Sequence, residues 1–101
     1  MRAFMFFAVM SALLMPFIAA AEPVPSAATV LAGPCVNCHG VDGRGAGAIP
    51  SIAGKPAEAL LQSLKEFKSG SRQATVMDRL AKGYSDEQLR SLASYFANNA
   101  Q

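Results

Sequence analysis

Cys35-Val36-Asn37-Cys38-His39 puts two thiols three positions apart and an imidazole directly after the second. These are the only cysteines and the only histidine among the 101 residues. Positions i and i+3 lie on one face of a helical turn, so both thiols project the same way. Such a run forces the chain to fold around whatever the three side chains hold. A thioredoxin-like thiol pair would need a βαβ setting, and no stretch here alternates with period two. A structural zinc site usually takes four ligands, and only three Cys or His residues exist. A plain disulfide stays open in an oxidising compartment. The remaining reading is a porphyrin. Two thiols on one turn can add to vinyl groups on neighbouring edges of the ring, and the imidazole then lies under the iron as proximal ligand. C-x-x-C-H is the attachment signature of c-type haem.

The N-terminal segment bears on the same question. Arg2 gives a positive start, an apolar stretch runs from Ala3 to Leu14, Pro16 interrupts, and Ala19-Ala20-Ala21 precedes Glu22. This pattern describes a secretory signal peptide over residues 1–21, cut after Ala21, and a periplasmic destination. The alternative is a retained membrane anchor, since the uncharged run from Ala3 to Ala21 approaches the roughly 20 residues a span needs. Pro16 and the alanine triplet favour cleavage, which leaves no membrane span. Haem is attached covalently outside the cytoplasm, so the export signal and the motif agree. Cleavage leaves a single domain, residues 22–101, and accounts for much of the 51% hydrophobic content. That domain holds eight basic and seven acidic residues. A nucleic-acid binder would show a clustered basic face instead.

Periodicity gives an all-α domain with long loops. Residues 22–26 read as an extended leader because of their prolines. Residues 27–32 are small and apolar, a short helix that Gly33-Pro34 interrupts. The span 40–54 carries Gly40, Gly43, Gly45, Gly47, Pro50 and Gly54 and reads as loop. Leu60, Leu64 and Phe67 then recur at helical spacing, predicting an amphipathic helix over 56–68 that starts at Pro56 and stops at Gly70. Residues 71–77 read as loop and Asp78 to Lys82 as a single turn. Ser85-Asp86-Glu87-Gln88 is a capping box, followed by a helix to about Asn98. A domain near this size buries only about 60–65% of its unfolded surface. Without haem such a chain should be loosely packed, because the 40–54 loop has little to pack on.

Haem iron takes a sixth ligand or leaves that position open. Signal cleavage removes Met1, Met5, Met10 and Met15 and leaves Met77 as the one methionine. A lone methionine is commonly core filler. Met77 instead falls between two helices, far enough beyond His39 for the chain to reach the opposite face of a haem. A thioether suits the low-spin iron of electron carriers. A loop carbonyl at Pro50 is placed to accept from the second ring nitrogen of His39, which would orient the ring; an ordinary turn proline is the alternative. Ile49, Ile52, Leu60, Leu64 and Phe67 are candidates for the haem wall and would be core residues in any all-α fold. Tyr95 and Phe96 pack either over the haem or against the N-terminal helix. Arg44, Arg72 and Gln73 are candidate propionate partners, with solvated surface as the plainer role for each.

Together, the motif with Gly40, the glycine-rich loop ending at Pro50 and the distant methionine resemble a class I cytochrome c over residues 27–98. Gly70-Ser71-Arg72 through Met77, Ala81-Lys82-Gly83-Tyr84-Ser85-Asp86-Glu87 and Tyr95-Phe96 are similar to the cytochrome subunit of flavocytochrome c sulfide dehydrogenase. The same segments resemble single domains of the cytochrome c4 and c553 groups. The resemblance implies one haem c bound through Cys35 and Cys38, with axial ligands His39 and, from the segment Ala74-Thr75-Val76-Met77, Met77. It implies a periplasmic monohaem carrier of single electrons, itself not an enzyme. Its partners would be redox proteins: either a flavoprotein sulfide dehydrogenase subunit that passes electrons to it, or the donors and acceptors of a free diffusing carrier. The family includes two-haem subunits; this chain carries one motif.

Overall fold

The structure, a computed structural model, describes residues 26–99. The predicted signal peptide at 1–21 lies outside the described residues. Five helices follow in order: α1 (Ala27–Leu31), α2 (Gly33–His39), α3 (Ala57–Ser69), α4 (Met77–Ala81) and α5 (Asp86–Ala97). No strand occurs among the described residues; Ala46 and Ile49 form one isolated antiparallel bridge.

Ser26 starts α1 by accepting a hydrogen bond from the Thr29 amide at 3.2 Å. The interruption expected at Gly33-Pro34 falls at Ala32, and a new helix starts at once with Gly33. Ala32 alone separates α1 from α2, donating its N–H to Ala28 O at 2.9 Å while its carbonyl accepts from Cys35 and Val36. Pro34 falls in the first turn of α2, where a missing N–H costs nothing because that turn has no intrahelical acceptor for it. The whole cysteine–histidine run therefore rides on one helix, with His39 its last residue.

Helix α3 begins at Ala57, one residue later than expected, with Pro56 at the cap position. Its inner face buries Leu60 and Leu61, and the helix closes at Gly70. Helix α4 begins at Met77, not at Asp78, so Met77 is the first residue of a helical turn rather than part of the preceding loop. The Val76 carbonyl sets this start by accepting from the amides of Arg79 and Leu80 at 3.0 and 3.2 Å. At the head of α5, Ser85 Oγ accepts from the Gln88 amide at 3.1 Å. Gln88 Oε1 accepts in return from the Ser85 amide at 2.9 Å.

The core lies where α3 and α1 meet α5, and α4 packs on α3. Leu60, Leu61, Leu89, Leu92, Ala93 and Phe96 pack there with Ala32. Phe96 thus joins the core on the side of the N-terminal helices, with the Tyr95 ring edge-on to it at 5.0 Å. Tyr84 donates its hydroxyl to Leu31 O at 3.2 Å and ties the C-terminal half to α1. The 40–54 loop is anchored by its backbone. Gly43 O accepts from the Ile52 and Ala53 amides at 2.7 and 3.0 Å, and Gly54 donates to Phe96 O at 3.0 Å.

Candidate functional site

His39 sits at the end of α2 and is only 7% exposed. Its Nδ1 lies 2.7 Å from the carbonyl oxygen of Pro50. A carbonyl can only accept, so Nδ1 carries the hydrogen, and in the neutral ring the lone pair is then on Nε2. That is the tautomer a metal needs from imidazole. The contact exists because the glycine-rich loop folds back on the helix end. Gly45 donates its amide to His39 O at 2.7 Å, and the Ala46–Ile49 bridge turns the chain so that Pro50 returns beside the ring.

The two thiols differ. Cys35 is half-buried and Cys38 exposed. Burial pushes the Cys35 thiol above its ordinary value, against a weaker opposing effect of a backbone hydrogen bond. Cys35 faces an apolar hollow whose walls include Pro34, Leu64, Met77, Leu80 and Ala81. The hollow brings Cys35 and Met77 together from α2 and α4, across α3. Burial also raises the Tyr84 phenol, the nearby Cys35 thiolate adding to the effect.

The remaining expected residues divide. Leu64 lines the hollow, while Leu60 is spent in the core. Ile52 packs against the core edge, and Ile49 stays 37% exposed. Phe67 lies under the Arg72 guanidinium, 5.5 Å from the ring centre. Arg72 also pairs with Glu66 at 2.7 Å, and Arg44 with Asp42 at 3.5 Å. Both arginines are thus engaged with surface carboxylates, and Gln73 is exposed. Leu80, Ala81 and Tyr84 were absent from the expected wall. The short turn that carries the first two was legible in the sequence, but which way it faces was not.

The site suits haem on its own chemistry. An apolar wall, two thiols on one helical turn, an imidazole nitrogen with a free lone pair and a thioether form a donor set for a flat apolar ring with a central iron. Leu80, 38% exposed on the wall, is the kind of apolar side chain such a ring would cover. Among the described residues no three His, Cys, Asp or Glu side chains gather to hold a bare metal ion. No helix among them is long and apolar enough to cross a membrane.

Comparison with known proteins agrees. The family model for cytochrome c matches residues 26–100. The cytochrome subunit of sulfide dehydrogenase from Chlorobaculum tepidum is 46% identical over 80 residues, covering 78% of this chain and 73% of that protein. Cytochrome c-554(548) of Halomonas halodenitrificans is 39% identical over 70 residues, covering 65% of this chain and 84% of the relative. A solved cytochrome c4 from Acidithiobacillus ferrooxidans superposes with a TM-score of 0.61 at 38% identity, covering 62% of this chain and 37% of that one.

Proposed function

Since this chain belongs to the cytochrome c family, with that family's all-α class I fold, we propose that it is a periplasmic monohaem carrier and the electron-accepting partner of a flavoprotein that oxidises sulfide. The family membership carries haem c and electron transfer with it: the chain binds haem c covalently, moves electrons between redox proteins and is not itself an enzyme. When bound, the haem iron supplies a one-electron ferric/ferrous couple.

The chain's own residues divide the work. Cys35 and Cys38 hold the group through thioethers, Cys35 against the apolar wall and Cys38 at the surface. His39 offers Nε2 to the iron, and the Pro50 carbonyl fixes the ring and raises its donor strength. Met77, at the start of α4, would supply a thioether as a second ligand to the iron. With His39 and Met77 both held to the iron, no site would be left open to substrate, as suits a carrier. Leu64, Leu80 and Ala81 keep water from the inner side. Cys38, exposed, would hold its side of the haem near the surface, where a partner protein would exchange the electron.

The observation that carries the sulfide reading is the 46% identity over 80 residues to the cytochrome subunit of sulfide dehydrogenase. A second reading, a free diffusing carrier, draws on the match that spans 84% of cytochrome c-554(548). Purification of the tagged chain from its native cells separates the two. A co-eluting flavoprotein and haem reduction by sulfide are the expected results. A chain that elutes alone and stays oxidised with sulfide and a flavoprotein-containing extract would leave the free-carrier reading.

A further inference from the structure

Gly45 stands between the two groups that set the orientation of His39. Its amide donates to His39 O at 2.7 Å, and the place a side chain would take is filled by the carbonyl groups of Ile49 and Pro50. A Cβ built on Gly45 would overlap the Ile49 carbonyl oxygen and lie 2.7 Å from both the carbonyl carbon and oxygen of Pro50. These are backbone atoms, with no flexible side-chain end to swing aside. The Pro50 oxygen that would have to move is the one that accepts from His39 Nδ1.

We infer that Gly45 is a positioning residue for the iron ligand: the missing side chain lets the Pro50 carbonyl reach His39 Nδ1. The inference rests on the reading of His39 as an iron ligand. The physical chain is short. The Nδ1–H···O bond draws the ring hydrogen toward the carbonyl and makes Nε2 a stronger donor, which favours ferric iron. Displacing the carbonyl lengthens a 2.7 Å contact and weakens that donation. The midpoint potential then rises.

Gly47 supplies the control. It too has positive φ, +58° against +72° at Gly45, so an alanine at either position meets the same kind of backbone strain. A Cβ at Gly47 meets nothing within 4 Å. Any difference between the two alanine variants therefore reports the collision with the Ile49 and Pro50 carbonyls rather than the backbone conformation.

The test uses mature haem-loaded protein with Gly45→Ala or Gly47→Ala. It reads the midpoint potential, and the solvent exchange of the His39 Nδ1 hydrogen by NMR. Gly45→Ala should raise the potential and speed exchange of that hydrogen, while Gly47→Ala should do neither. Equal behaviour of the two variants would overturn the assignment. Should Gly45→Ala yield no haem-loaded protein, Pro50→Gly loosens the same carbonyl without a collision. A smaller upward shift is expected there, and an unchanged potential overturns the assignment. The unsubstituted protein tests the underlying reading separately. A spectrum without imidazole–iron coordination removes His39 as ligand, whereas a normal spectrum with a potential indifferent to Gly45→Ala removes only the role of Gly45.

Discussion

Leu89 has no exposed surface and packs at the centre of the cluster that joins α5 to α3 and the α1–α2 junction. Truncating it to alanine leaves a cavity in a small core with little room to collapse. We expect Leu89→Ala to cost about 2–5 kcal/mol in denaturant unfolding of the haem-loaded protein; a loss below about 1 kcal/mol would show that the site repacks. At this scale the cysteine–histidine run was plain in the sequence, because three reactive side chains within five positions need no tertiary information. Gly45 was visible only as one glycine of a loop. Its steric role appears once Pro50 is folded back beside it. The hollow shared by Cys35 and Met77 was equally hidden, since it depends on how α3 sets α4 against α2.

Helices α3 and α5 could be read from the sequence because each carries an apolar stripe at helical spacing and a clear stop or start signal. The capping box of Ser85 and Gln88 is present in full. Ser85→Ala removes the acceptor for the Gln88 amide and should lower stability by about 1 kcal/mol, read from the shift in denaturant midpoint. Gln88→Ala should cost less, since only the reciprocal bond is lost. Helices α2 and α4 were less legible. Gly33-Pro34 reads as a break, yet Pro34 is accommodated in the first turn. Val76 caps α4, which opens at Met77, one residue before the expected start at Asp78. In both cases the main-chain hydrogen bonds, not the side-chain pattern, set the boundary.

Across the whole molecule, ion pairs join elements at the surface and make the fold sensitive to acid. Hydrogen bonds from Gln62 and Arg72 hold the Glu66 carboxyl below its ordinary value of 4.5. The Lys68 ammonium, on α3, does the same for Asp86, on α5, below 3.8. In both cases the unfolded chain takes up the proton first, so this stabilisation is full above the ordinary carboxylate range and fades as pH falls through it. Both groups are solvent-facing and the effect is modest. Thermal midpoints measured from pH 6 to pH 3 should fall less steeply in Glu66→Gln and Asp86→Asn than in the unsubstituted protein. Equal slopes would assign the acid sensitivity to other groups.

The thin core is the counterpart of the apolar hollow between α2 and α4: a domain of this size closes around a ring it must be given. Met77, on the wall of that hollow, is proposed here as the second iron ligand. The direct measurement is the absorption spectrum and midpoint potential of Met77→Ala beside the unsubstituted protein. The variant is expected to keep its covalent haem, lose the methionine–iron absorption band and fall in potential. An unchanged spectrum and potential would contradict it.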